Sequence, residues 1–280
     1  MSFNKGLGWR PDLPDFRDYT PKDEAVKEVL DKSQPLKAAA KKEPAAIDLS
    51  QWCSPIEDQG SLGSCTAHAG MGLIEYFQRR AFGKHLDGSR LFLYKVTRTL
   101  MGEVGDGGAY LRETMKAMVL FGTPPEKYYP YILARYDDDP PTFCYAFAQN
   151  YRALKYYRLD PAGVSPTQTL AKVKKHLVAG LPSMFGFAVY TSIEDSDSGA
   201  ISFPEPNESQ TGGHAVIAIG YNDAKKIGKY KGALKIRNSW GMDWGEKGYG
   251  WIPYHYIESG LAEDFWSLVD AGFVDTDLFK

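Results

Sequence analysis

At 280 residues, with 43% hydrophobic and 24% charged side chains, the chain is long enough to bury one large core or two modest lobes. A net charge of −2 gives no broad basic footprint for nucleic acid or an anionic membrane, and no apolar run reaches spanning length, so neither partner is expected. Three cysteines in no paired spacing, Cys53, Cys65 and Cys144, exclude a disulfide scaffold and a Cys/His zinc site; no cofactor and no metal are expected.

The first stretch, MSFNKGLGWRPDLPDFRDY, lacks the basic start and apolar run of a signal peptide, and with the odd cysteine count this gives the expectation of a cytoplasmic protein. Pro11, Pro14 and Pro21 favour extended backbone. EAVKEVLD, residues 24 to 31, is spaced for two helical turns with Val26 and Leu30 on one side, and QPLKAAAKKEPAA after it has little to bury and reads as a linker. Residues 1–46 are therefore expected to be an N-terminal extension and 47–280 the globular domain.

Apolar spacing predicts helices over 65 to about 80, 90–101 and 110–121. SPTQTLAKVKKHLVAG places Ser165, Pro166 and Gln168 as cap, first and third helical residues and stops at Gly180. SMFGFAVY, HAVIAIGY, ALKIRNSW and YGWIPY are short β-branched or aromatic runs, hence strands. A helical part at 57–148 and a strand-rich part at 149–265 make an α+β domain of two lobes.

In QGSLGSC, Gly60 and Gly63 allow tight turns, and Cys65 falls at the first turn of a helix, where unpaired amides favour a thiolate. On this stretch alone a structural thiol remains the alternative, and Cys144 and Cys53 read as small buried hydrophobes. A nucleophile needs a base. His68 shares a helix with Cys65 and reads as a packing or capping residue, while His85, His176 and His255 sit in charged or loop contexts and read as solvated. His214 heads an alternating strand after two glycines, and Asn238 ends another, followed by Trp240. An Asn amide oxygen can hold one imidazole nitrogen and a tryptophan can shield that bond, although NSWG also fits a glycine-rich turn over a core tryptophan.

Taken together these residues resemble the papain family of cysteine peptidases, and within it the bacterial xylellain-like branch. Gln59, five residues and then Cys65; His214 with AVIAIGY; Asn238 with SWGMDWGEKGYG; the SCT run; and WRPDLPDFRD all match in order. The resemblance implies a papain-like two-lobe fold, helical on the left and β-barrel-like on the right, with the cleft between. It implies Cys65 as nucleophile, His214 as base, Asn238 as its orienting partner, Gln59 as oxyanion donor and Trp240 as the cover. Gly107 and Gly108 match the pair that holds substrate backbone. Gly186 and Gly213 would border the main specificity pocket, with Glu263 and Asp264 near its floor. Whether that carboxylate would welcome a basic side chain or be salt-bridged stays open on the sequence.

Two departures stand out. Leu62 and Gly105 occupy positions where the family has a disulfide pair, and Thr66 and His68 alter the surroundings of the nucleophile. The implied activity is that of a cysteine endopeptidase working on protein or peptide substrates through an acyl-enzyme. A Cys acyltransferase or amidase, and a catalytically silent binding module, are the alternatives. Family members commonly carry an inhibitory prosegment. Here the extension is expected in or across the cleft with Trp9, Leu13, Phe16 and Tyr19 as anchors, a docking tail being the rival.

Overall fold

The computed structural model describes residues 4–33, 43–151 and 153–271. The chain enters through a two-residue strand, β1 (Trp9–Arg10), and runs extended through the prolines to helix α1 (Glu24–Ser33). Most of the expected linker lies outside the described residues, and the chain resumes at β2 (Ala46–Asp48). Helix α2 (Cys65–Phe82) is buried over most of its length, its polar residues His68, Glu75 and Gln78 included. Helix α3 (Arg90–Met101) starts where Ser89 Oγ accepts from Phe92 N at 3.1 Å and stops at Gly102 in the left-handed region. Strand β3 (Ala109–Tyr110) leads straight into α4 (Leu111–Leu120), and the short α5 (Thr142–Ala148) buries Cys144.

The strand-rich part contains β4 (Ala153–Arg158), α6 (Pro166–Val178), β5 (Ser183–Tyr190), β6 (Gln210–Ile227), β7 (Tyr230–Arg237), β8 (Tyr249–Pro253), the short α7 (His255–Glu258) and β9 (Ala262–Ala271). The predicted capping box of α6 forms between Ser165 and Gln168. The strands pair antiparallel in the order β4-β9-β5-β6-β7-β8, with β2 added alongside β6. The sheet is open: among the described residues its end strands β4 and β8 do not pair, so the expected barrel-like closure is absent.

Successive strand residues face opposite ways, and here both faces are covered. Met184, Ala215 and Ile217 pack with α2 and the helical part in one core, while Phe185, Val216 and Ala218 pack in a second core. The second core also takes Val26 and Leu30 of α1 and Leu170, Val173 and Leu177 of α6, so the extension contributes to the strand-rich lobe. His176 shares that buried face, with its Nδ1 2.8 Å from Lys172 O, which corrects the expectation of a solvated histidine. No described helix is long and apolar enough to cross a membrane.

Candidate active site

Cys65 opens α2, whose length plants it against the strand that carries His214; α2 and β6 pack together. Its thiol is fully buried, with the main chain of Ala215 and Gly8 near enough to favour the thiolate. Asn238 follows β7 directly, and β7 pairs with β6, so the sheet register brings Asn238 beside His214. His214 Nε2 lies 2.7 Å from Asn238 Oδ1. An amide oxygen only accepts, so Nε2 carries the proton and the neutral ring presents Nδ1 as an acceptor. That Nδ1 is buried and has no hydrogen-bond partner among the described residues. Trp240 stacks on the imidazole with centroids 4.4 Å apart, the covering role expected of it.

Gln59 is anchored from three sides. Its N–H donates to Ser239 O at 2.9 Å, Ser239 Oγ donates to Gln59 Oε1 at 2.6 Å, and Tyr131 OH donates to the Gln59 carbonyl at 3.0 Å. With Oε1 held by Ser239, the amide nitrogen must face the other way. It donates to the carbonyls of Gly6 and Leu62, both at 2.9 Å.

The N-terminal segment thus lies among these groups. Ala109 N donates to Gly8 O at 2.7 Å, and β1 pairs parallel with β3. A Cβ built at Gly6 would overlap the Leu62 carbonyl, and one at Gly8 the Gly63 carbonyl, so only glycine allows this approach. The Trp9 indole is buried between Gly186 and Gly213, and its Nε1 donates to Asp264 Oδ2 at 3.2 Å. Gly108 also touches the segment, at Gly8, whereas Gly107 faces only Glu103 and does not join the site.

Beyond Trp9 the contacts are ionic. Arg112 binds Asp12, Asp18 and the Leu13 carbonyl, and Arg158 donates to Asp12 O through both terminal nitrogens at 3.1 Å. Leu13 and Phe16 are 85% and 97% exposed, and Tyr19 is exposed as well. Of the four expected anchors, only Trp9 is one. In this extended stretch Asp12 and Asp18 turn inward to the buried Arg158 and the half-buried Arg112, leaving the apolar side chains outward.

Burial governs the titration of the site. Desolvation pushes the Cys65 thiol up to about 11, against the pull of the nearby amides. It pushes His214 down to about 4 despite the Asn238 bond. Under the segment, thiol and imidazole are therefore both neutral at pH 7. Burial also lowers His68 to about 3; its Nδ1 lies 3.1 Å from Ser64 O, consistent with the capping role expected.

Asp264 is fully buried, and desolvation pushes its carboxyl up to about 7 although Arg158 Nη1 sits 3.1 Å away. Its expected neighbour on the pocket floor, Glu263, is exposed instead, because strand alternation turns it to the other face. All three cysteines are free. Where the family disulfide would stand, Asp106 holds Gly63 N through both carboxylate oxygens at 3.0 and 3.1 Å. Tyr94 OH donates to Asp106 Oδ1 at 2.5 Å and accepts from Gly108 N at 3.1 Å. This clasp ties the loop before Cys65 to the glycine wall opposite. Sequence reading missed Asp106, Tyr94, Ser239, Arg112 and Arg158; only Ser239, inside the NSW run, carried a local signal.

The chain matches the family model for papain family cysteine proteases over residues 43–267. It is 34% identical over 231 residues to an uncharacterized peptidase C1-like protein of Acanthamoeba polyphaga mimivirus, covering 79% of this chain and 71% of that protein. It is 30% identical over 214 residues to cathepsin K of Gallus gallus, spanning 74% of this chain and 58% of that protein. The crystal structure of xylellain, a cysteine protease from Xylella fastidiosa, is similar at TM-score 0.77 and 33% identity with 97% of each chain covered. Procathepsin B from Trypanosoma congolense, at 19% identity and TM-score 0.65 over 96% of this chain and 87% of that one, shares the fold.

Proposed function

This chain belongs to the papain family of cysteine proteases, and from that membership we propose an endopeptidase acting through Cys65 and His214 and held silent by its own residues 6–10. In the uncovered enzyme His214 Nδ1 takes the thiol proton, and the Cys65 sulfur attacks the scissile carbonyl carbon. The carbonyl electrons move onto oxygen, where the Gln59 amide and the Cys65 N–H at the open end of α2 hold the developing charge. Each such donor contributes roughly 3 kcal/mol to the rate. Collapse of the intermediate expels the amine, which receives its proton from His214, and leaves a thioester on Cys65. Water, deprotonated by the same Nδ1, then releases the acid and restores the thiol. Asn238 keeps the second nitrogen protonated, so Nδ1 is always the nitrogen that exchanges the proton.

The observation that carries the silent state is the Gln59 amide donated to Gly6 O while Gly8 covers the Cys65 sulfur. The oxyanion donor is already occupied, and water is excluded from the thiol and the imidazole. Hydrolysis of an unfolded protein in reducing buffer tests the proposal with the full chain, Gly6→Ala/Gly8→Ala, and each with Cys65→Ala. The Gly6→Ala/Gly8→Ala variant should cleave faster than the wild type, and both Cys65→Ala forms should be inert. Cleavage that survives Cys65→Ala would overturn the catalytic assignment; equal rates with and without the glycines would overturn the self-inhibition.

A further inference from the structure

The pocket that receives Trp9 is built, rather than merely roomy. Its two walls are Gly186 on β5 and Gly213 on β6, paired strands on which any side chain would collide with the indole. Its floor is the Asp264 carboxylate. The register of β5 against β9 shifts between Met184 and Gly186, opposite Asp264. Asp264 itself sits at φ +68, a left-handed conformation that a side-chain-bearing residue rarely adopts.

A second carboxylate holds this kink: Asp160 accepts from Asp264 N at 2.7 Å and from Phe265 N at 3.0 Å. Strained backbone so fully supported marks a position where the direction of a side chain matters. The kink aims Asp264 at the pocket. Oδ1 accepts from Trp266 Nε1 at 2.9 Å and meets Arg158 Nη1 at 3.1 Å, so that oxygen is committed to the protein. Oδ2 is the oxygen turned to Trp9, and the indole N–H supplies its hydrogen bond at 3.2 Å.

We infer, resting on the peptidase reading above, that this pocket selects peptide substrates with an aromatic side chain carrying a hydrogen-bond donor, tryptophan before tyrosine, and that Asp264 determines the choice. Phenylalanine fills the space between the glycines but leaves a buried acceptor unpaired, which is the stronger form of discrimination. Leucine fills less of the space. An arginine or lysine would have to enter beside the buried Arg158, whose guanidinium sits 3.1 Å from Asp264 Oδ1, so like-charge repulsion and the loss of hydration count against a basic side chain.

The test reads the pocket first without catalysis. Trp9 in the full chain is replaced by Tyr, Phe, Leu or Arg, and alkylation of Cys65 by iodoacetamide is followed by mass spectrometry. The rate should rise in the order Trp, Tyr, Phe, Leu, Arg, with Trp9→Phe about tenfold faster than wild type. Asp264→Gly, which tolerates the backbone conformation, should erase the difference between Trp and Phe at position 9. Equal protection by Phe and Trp, or better protection by Arg, would overturn the inference.

The second measurement maps cleavage sites made by Gly6→Ala/Gly8→Ala in a peptide pool. Tryptophan and tyrosine should be enriched at one fixed distance from the cut. Cuts without that enrichment overturn the pocket's selectivity and leave the peptidase reading standing. No cuts together with the expected alkylation order would uphold the pocket and overturn the peptidase reading instead.

Discussion

Residues 6–10 and residues 12–18 are neighbours on one stretch of chain, yet they hold to the body by different physics. The first stretch fits by shape as far as Trp9, with two glycines against two carbonyls, one indole between two more glycines, and backbone hydrogen bonds to Gln59 and Ala109; only its last residue, Arg10, adds an ion pair, with Glu103. The second fits by charge, through Asp12 and Asp18 on Arg112 and the Asp12 carbonyl on Arg158, with its apolar side chains turned to solvent. Steric fit tolerates no added atom, whereas an ionic attachment can lose one partner and keep the others. On the self-inhibition proposed above, the first stretch would act as a plug and the second as its tether.

Substitutions should separate them. The largest effect is expected from Gly8→Ala, where overpacking worth about 1–3 kcal/mol should speed Cys65 alkylation ten- to a hundredfold. Asp18→Asn should do less, about three- to tenfold, because Arg112 retains Asp12 and the Leu13 carbonyl. Added salt should mimic Asp18→Asn and reach the plug only at its end, through the Arg10–Glu103 pair. If Asp18→Asn released the segment more than Gly8→Ala, the division into plug and tether would be wrong.

Acidification should pull the two stretches apart. Under the plug His214 is lowered to about 4 by burial, so between about pH 6.5 and 4 the docked form binds fewer protons than the open one. Its contribution to docking is complete above about 6.5 and is lost as pH falls toward 4, by at most about tenfold per pH unit. Asp12 has the opposite sign. Burial raises its carboxyl against the pull of Arg112, so its contribution is present in acid and lost as pH rises through the raised value. Asp264 is raised too, yet Arg158 and Trp266 wrap it whether or not Trp9 is present, which leaves most of its shift common to both forms. On lowering pH from 7 to 4, the Trp9 indole NMR signal should therefore fade before that of Arg112 Nε–H. Loss of the Arg112 signal first would contradict this order.

A smaller effect is expected at the clasp. On a Gly8→Ala background, Tyr94→Phe removes about 1 kcal/mol of support from Asp106 and Gly108, raising KM several-fold with kcat nearly constant. A fall in kcat alone would place Tyr94 in another role. Because this clasp stands where the family has a disulfide, reductant should change activity only through Cys65. The smallest effect belongs to Leu13→Ser with Phe16→Ser, which should leave stability and alkylation within about 0.5 kcal/mol of wild type. A larger change would mean that the exposed face of the tether has a partner.

How far the sequence could be read depended on the range of the physics. Gln59, Cys65, His214 and Asn238 were legible because each sits in a local run whose chemistry needs that residue type, and the sheet register then brings His214 to Asn238. Helix α6 was legible from its cap. His176 was misread because the lysines beside it suggest solvent, although helical spacing sets it on the face of Thr169, Val173 and Leu177. The anchors Leu13 and Phe16 were misjudged because an extended chain has no local rule for which face meets the body. Arg112 and Arg158, far away in sequence, made that choice. The kink at Asp264 arises from a register shift between β5 and β9 and from Asp160, none of which leaves a local pattern.

The burial of Val26 and Leu30 beneath the strand-rich lobe fixes the far end of the segment. Arg10 and Glu24 bracket the short stretch that links the plug to this anchor. On the self-inhibition proposal the plug would then compete with substrate intramolecularly, at an effective concentration on the order of millimolar for a short connection. The same residues supplied as a free peptide should inhibit far more weakly than their attachment implies. Cutting the chain anywhere between Arg10 and Glu24 would abolish that advantage without altering a single contact in the cleft.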